Sequence, residues 1–411
     1  MLKQYCLTSK DTSDLFVGIR FSDGKPSIVF PHGYALSDDD SECRKDVFQL
    51  LAVLQSFSEH RVGEINTRKD SNIISFPLSS YQFIIQDYLS HGYYTENEIR
   101  YIQAQRGKIN WKRTIQQEQA QIDDNNVVYL KFQTKTNQIN SNNLITQIHK
   151  YCVYFCFLKF GWLYLSSSFL PEKPLIPFNK KLFINTLSVA LSETFNDQKR
   201  TLFKSMINVI NDNDEDISIN NISIGVNRFD PIWERLIDYV FGEDDKDKYF
   251  PHAKWHIIKN GKHEQSSALV PDTIMKYQNK IYVLDAKYYQ YGITNCVSDL
   301  PATSSIQKQI TYGKHIAEQM QEVPVNNVYN AFVMPYKSDT NEVIKFVSVA
   351  TADWETYNDK TNNYAYVLGM LLDTRWLITN YVRHNNAEIE KMAEAIETSL
   401  EFYRSHFDSS Q

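Results

Sequence analysis

The order of elements along the chain predicts an α/β fold. The C-terminal half alternates type: a helix over 230–242, a strand over 253–260, two strands within 270–292, a helix over 304–320, then strands over 327–336 and 343–352. The N-terminal half mixes short strand-like runs with helical ones, so an α+β domain is expected ahead of the α/β core. At 411 residues the chain exceeds one ordinary core, and two domains are expected, over 1–178 and 179–411.

The elements read in turn as follows. "LFVGIRF" and "PSIVF" are strand-like and flank "SDGK", a turn signal. "DVFQLLAVLQSF" (46–57) has helical apolar spacing, and "SSYQFIIQDYLSHGYY" (79–94) is a second helix ended by Gly92. "YCVYFCFLKFGWLYL" is the most apolar run; it is too short to span a bilayer and carries Lys159 and Gly161, so it reads as a core helix or buried strand. Residues 181–210 are one or two helices, and "NDNDEDISINN" (211–221) is an exposed acidic loop. "DPIWERLIDYVFG" opens on an Asp cap, with Pro231 at its first position and Gly242 at its end. Residues 363–382 and 386–405 read as helices.

Hydrophobic residues make up 42% and charged residues 22%, which suits a soluble globular chain. A net charge of −6 argues against a generally basic nucleic-acid coat but leaves room for a local basic cleft. Five cysteines, at 6, 43, 152, 156 and 296, form no CxxC pair, so neither a disulfide framework nor a zinc signature is present. Cys152 and Cys156 are expected in the core. The N-terminus lacks the apolar run of a signal peptide, so a cytoplasmic protein without membrane attachment is expected. GxSxG, GxxxxGK[ST] and HExxH are absent. Any nucleotide-driven motor must then be a separate chain. The ten histidines are scattered, and His252 and His315 are expected to be structural or surface residues.

The chemistry gathers in "VPDTIMKYQNKIYVLDAKYYQYG" (270–292). If Gln278 and Asn279 form a two-residue hairpin turn, Tyr277 faces Lys280 and Asp272 faces Asp285. Opposed residues lie roughly 5 Å apart on one face. Asp285 and Lys287, two apart, share that face. Two such carboxylates repel unless a cation separates them. Oxygen ligands with waters retained suit Mg²⁺, and the Ala286 carbonyl is a third candidate donor. Lys287 is then placed to orient a water and stabilise phosphoryl charge. The same tripeptide pattern at Asp197–Lys199 and Asp244–Lys246 lies in polar surroundings and reads as surface charge. Asp230, Glu234 and Asp238 form one acidic stripe, either a solvated face or a means for Glu234 to complete the acidic cluster. Gln309 and Tyr312 lie one turn apart and either steady Lys287, touch DNA or simply pack. In "IRYIQAQRGKINWKRTI" (99–115), Arg100, Arg106, Lys108, Lys112 and Arg113 stand without an acid among them, interleaved with Tyr101 and Trp111. That mixture suits a phosphate-tracking surface or an acidic partner, and a solvated strand edge is the plainer alternative.

Pro271-Asp272 and Asp285-Ala286-Lys287, with Glu234 upstream, resemble the PD-(D/E)xK nuclease superfamily over roughly 225–350. "DYLSHGYYTENEIRYIQAQRGKINWKRTI", "SSIQKQITYGKH" and "LLDTRWLITNYV" are similar to the LlaJI-type restriction endonucleases, relatives of the McrC nuclease subunit. The resemblance implies a mixed sheet flanked by helices and a Mg²⁺-dependent endonuclease of double-stranded DNA. In it Asp272, Asp285, Lys287 and Glu234 would be catalytic. It also implies an McrB-like AAA+ GTPase partner, with Arg106, Lys108, Trp111, Lys112 and Arg113 meeting that partner or DNA. A stand-alone nuclease of the same fold, or a subunit that binds without cleaving, are the alternatives.

Overall fold

The computed structural model describes residues 2–9, 15–22, 25–60, 77–123, 126–140, 143–165, 169–212, 223–259, 262–319, 323–340, 342–355 and 361–407. The chain forms two compact units, Met1–Ser75 with Ile219–Gln411, and Phe76–Ser218. The first unit is therefore built from both ends of the chain, a partition different from the single boundary at 178/179 expected from sequence.

The chain opens with β1 (Cys6–Thr8), β2 (Val17–Ser22) and β3 (Lys25–Phe30), followed by α1 (Asp40–His60). β3 pairs parallel with β1 and antiparallel with β2. Asp23 and Gly24 of the expected turn lie outside the described residues. Cys43, Val47, Leu50, Leu51 and Leu54 of α1 are buried, as its apolar spacing requires.

The Phe76–Ser218 unit comprises α2 (Leu78–His91), β4 (Glu96–Gln103), β5 (Lys108–Ile109), α3 (Trp111–Gln117), β6 (Ala120–Asp123), β7 (Asn126–Tyr129), β8 (Gln133–Asn140), α4 (Leu144–Tyr164), α5 (Lys180–Glu193) and α6 (Asp197–Asp212). β4, β8 and β5 form one sheet in that order, and β6 with β7 a separate hairpin. The most apolar run is the buried helix α4, and Cys152 and Cys156 are core thiols. Lys159 is tolerated there because its ammonium meets Asp212 at 3.1 Å and the Tyr81 hydroxyl at 3.0 Å. The acidic stretch after Asp212 lies outside the described residues from 213 to 222.

Back in the first unit come β9 (Ser223–Val226), α7 (Asp230–Phe241), β10 (Lys254–Ile257), β11 (Lys262–Gln265), β12 (Thr273–Tyr277), β13 (Lys280–Ala286), α8 (Tyr291–Thr294), α9 (Thr303–Gln319), β14 (Val328–Tyr336), β15 (Ile344–Ala350), β16 (Val367–Asp373), α10 (Thr374–Asn380) and α11 (Asn386–His406). The main sheet has the order β12-β13-β14-β16-β15. β13, β14 and β16 run parallel, and β12 and β15 are antiparallel edges. The sheet is thus mixed, with buried continuous apolar strands at its centre.

Two expectations are corrected. Residues 363–382 were expected to be helical, but they hold β16 and then the short α10. "YAYVLGMLLD" is buried on both faces, and a continuous apolar run carries no period to separate strand from helix. The cap of α7 is Phe229 and makes no side-chain hydrogen bond; Asp230 is instead clamped by Arg228 at 2.5 and 3.0 Å.

The N-terminal sheet closes through β9, which pairs antiparallel with β2 and sets Gly18 opposite Gly225. Gly18 has φ +143°, and a Cβ there would lie 2.1 Å from the Ile224 carbonyl oxygen. Only glycine fits that approach. Gly18→Ala is expected to destabilise the first unit by about 3 kcal/mol. Chemical denaturation checks this, and an unchanged midpoint would remove the claim that this pairing holds the two chain segments together.

Candidate active site

The hairpin β12–β13 has the register that the sequence suggests. Tyr277 pairs with Lys280 and Thr273 with Leu284, so Asp272 follows opposite Asp285. The turn is Gln278-Asn279, with Gln278 at φ +54°, in the left-handed region that suits a tight hairpin. Asp285 sits at the C-terminal end of β13, on the inside of a sheet where β14 continues beside it. The chain leaves the strand at Lys287, whose amide donates to the Val333 carbonyl at 3.0 Å. The Trp233 indole of α7 donates to the same carbonyl at 3.2 Å, tying the helix that carries Glu234 to this strand end.

The three charges meet. The Lys287 ammonium lies 2.7 Å from the Asp285 carboxylate. Asp272 is in hydrogen-bonding contact with Asp285. It also accepts the Ala286 amide at 2.9 Å. Burial first, then the charge and hydrogen bond of Asp285, then the charge of Glu234, push Asp272 up to about 8, with Lys287 opposing. Lys287 is held above its ordinary range: burial works against its charge, and Asp285 and Asp272 outweigh that cost. Glu234 is exposed on α7 and acts on Asp272 through its charge.

Lys246 belongs to this cluster, although its polar sequence setting reads as surface charge. Its ammonium binds Asp238 at 2.7 Å and the Asp272 carbonyl at 2.9 Å. It therefore offsets one member of the α7 acidic stripe while pinning the backbone at Asp272. A lysine eight residues after an acid, across a helix end, has no periodic signature to betray it.

Gln309 and Tyr312 of α9 lie behind the cluster. Gln309 is fully buried and donates to the Val283 carbonyl at 2.6 Å, and the Tyr312 hydroxyl donates to the Val270 carbonyl at 3.1 Å. They brace the strand and the approach to Asp272. The predicted contact of Gln309 with DNA is closed off by its burial. His315 is held below its ordinary range by burial and then by His252, consistent with a structural setting.

The basic stretch lies in the other unit. Arg106, Lys108, Trp111, Lys112 and Arg113 are all exposed, Arg106 just before β5, Lys108 at its first position and the other three at the start of α3. The Arg113 guanidinium stacks over Tyr101 at 4.1 Å, and Asn110 caps α3 by accepting the Arg113 amide.

Among the described residues no three or more His, Cys, Asp or Glu side chains form a group able to hold a metal. Two desolvated carboxylates in contact still form a hard-oxygen donor pair that wants a proton or a cation between them. A cation that keeps much of its own water needs no more from the protein. The residues present fit such an ion. The described residues also contain no helix long and apolar enough to cross a membrane.

This geometry can be set beside known proteins. The family model of the LlaJI restriction endonuclease matches residues 16–356, so the chain belongs to the LlaJI restriction endonuclease family. The chain is 24% identical over 377 residues to the type II restriction enzyme BsuMI component YdjA of Bacillus subtilis (strain 168), covering 85% of this chain and 79% of that one. A half-complex of Thermococcus gammatolerans McrB AAA+ hexamers with bound McrC overlaps 93% of this chain and 82% of its own matched chain. Its identity of 13% and TM-score of 0.36 are too low to establish a shared fold.

The raised Asp272 carboxyl has a stability consequence. Between its ordinary 3.8 and about 8 the folded protein holds a proton that the unfolded chain releases, so stability falls as pH rises through that window. In chelator, Asp272→Asn is expected to melt a few degrees above the parent at pH 8.5, with the gap shrinking towards pH 4. Parallel melting curves across that range would show that the carboxylates are not in contact.

Proposed function

We propose that the protein is a Mg²⁺-dependent DNA endonuclease with a PD-(D/E)xK core, working as the nuclease component of a restriction system. The observation that carries this reading is the convergence of Asp272, Asp285 and Lys287 on one strand end. Membership of the LlaJI restriction endonuclease family supplies the substrate class.

Asp272 and Asp285 would hold the ion, with the Ala286 carbonyl as a further donor. When bound, Mg²⁺ supplies positive charge that offsets charge developing on the phosphodiester. Lys287, kept protonated by its neighbours, orients the attacking water and donates to the phosphoryl oxygen. Glu234 assists by adding acidic charge beside Asp272. Gln309 and Tyr312 keep the strand and the Asp272 approach rigid, so that the charged groups need no rearrangement.

A second subunit is part of the reading. The curated relative is itself named as a component of a restriction enzyme. The described residues make no phosphate-cradling P-loop, so nucleotide-driven movement falls to an McrB-like AAA+ GTPase. The N-terminal contacting role belongs with the exposed Arg106, Lys108, Trp111, Lys112 and Arg113, which suit either that partner or the DNA backbone.

Plasmid cleavage in Mg²⁺ tests the assignment, with and without the AAA+ partner and GTP. The parent is expected to cut only with partner and nucleotide, while Asp285→Ala and Lys287→Ala lose at least a hundredfold in rate. Parental cutting by Asp285→Ala would falsify the site. Robust cutting by the parent alone would make the protein a stand-alone nuclease.

A further inference from the structure

The ribbon β10–β11 stands outside every role given so far. It pairs Lys254 with Gln265, Trp255 with Glu264, His256 with His263 and Ile257 with Lys262. Among the described residues no third strand joins it. Seven of its eight paired residues are exposed, and Trp255 is 69% exposed. An isolated two-stranded hairpin is marginal in water. A ribbon solvated on both faces therefore adds little to the core.

Its composition is one-sided. From Lys254 to Gln265 the sequence carries three lysines and two histidines against one glutamate, in a chain of net charge −6. Side chains alternate between faces along a strand. The pairing therefore puts Lys254, His256, His263 and Gln265 on one face, and Trp255, Ile257, Lys262 and Glu264 on the other. Every member of the first face is a hydrogen-bonding side chain. The His256 and His263 rings meet edge to face at 4.5 Å across the strands.

The ribbon is also coupled to the candidate site. Its base is closed by the Ser266 amide on the Ala253 carbonyl at 2.8 Å and the Leu269 amide on the Pro251 carbonyl at 2.9 Å. The next carbonyl, of Val270, is held by Tyr312, and Asp272 follows two residues on.

We propose that β10–β11 is a DNA-reading ribbon that presents the Lys254, His256, His263 and Gln265 face to the major groove of a duplex. Four paired residues span roughly 13 Å, and the major groove, about 12 Å wide, admits a two-stranded ribbon. Lysine and glutamine suit base edges there, by donation to guanine and by paired contacts to adenine. Duplex DNA is the occupant because the ribbon's lysines, Lys254 on the reading face with Lys259 and Lys262 elsewhere on it, complement phosphate, and because residues 266–271 connect the ribbon to Asp272 at the head of β12. The proposal rests on the nuclease reading for its substrate class.

The test is binding of a labelled 30-base-pair duplex by the full-length protein in EDTA, over a range of salt. The substitutions Lys254→Glu with Gln265→Ala are expected to weaken binding at least tenfold and to flatten the salt dependence. Trp255→Ser, on the opposite face, is expected to stay within twofold of the parent. Melting curves confirm that each variant is folded, and Lys254→Gln replaces Lys254→Glu if the latter is not. Parental affinity in the first variant, equal loss in both, or no duplex binding by the parent would each overturn the ribbon. So would loss of association with an AAA+ partner while duplex affinity is kept. Because binding is read without metal, its outcome is independent of whether Asp285→Ala abolishes plasmid cleavage. The ribbon and the catalytic assignment can therefore fail separately.

Discussion

Two carboxylates pressed together at the end of a buried hairpin set the terms for everything around them. Asp272 and Asp285 are brought into contact by strand pairing, which the apolar faces of β12 and β13 enforce. The electrostatic cost of that contact is offset locally only in part, and the remainder shows as the raised Asp272 carboxyl. Lys287 faces Asp285, the Ala286 amide faces Asp272, and Lys246 neutralises Asp238 while holding the Asp272 backbone. The packing behind the cluster serves the same end. Trp233 and the Lys287 amide share one carbonyl, while Gln309 and Tyr312 hold two others, so the charged groups rest on a frame that cannot relax them apart.

This arrangement explains why the site was legible in sequence. A hairpin with a two-residue turn has a fixed parity, and parity decides which side chains share a face. Asp272, Asp285 and Lys287 could therefore be brought together on paper. Glu234 followed from helical spacing and Gly92 from its place after an apolar run. What escaped lacked a local period. β16 is apolar on both faces and so resembles a buried helix. Lys246 acts across a helix end. The pairing of β2 with β9 joins residues some two hundred positions apart, and a glycine at each of Gly18 and Gly225 gives no hint of its partner.

The same reasoning separates the two kinds of surface. The strand end is defined by desolvation, so its residues are few and their partners specific. The exposed basic stretch of the Phe76–Ser218 unit and the β10–β11 ribbon are defined by what they leave open to solvent. Beyond local contacts such as Arg113 over Tyr101 and His256 against His263, their side chains are set by few neighbours, and composition is a better guide to their chemistry than internal packing.

The discontinuous first unit also orders events at the ribosome. β2 emerges early, yet its antiparallel neighbour β9 is made only after the whole Phe76–Ser218 segment has been synthesised. Until then the β2 edge has unpaired backbone groups, while the inserted unit can already fold on its own contacts. A nascent chain therefore completes the inserted unit before the strands of the main sheet are made. Premature termination between the two leaves a folded module without the carboxylate pair.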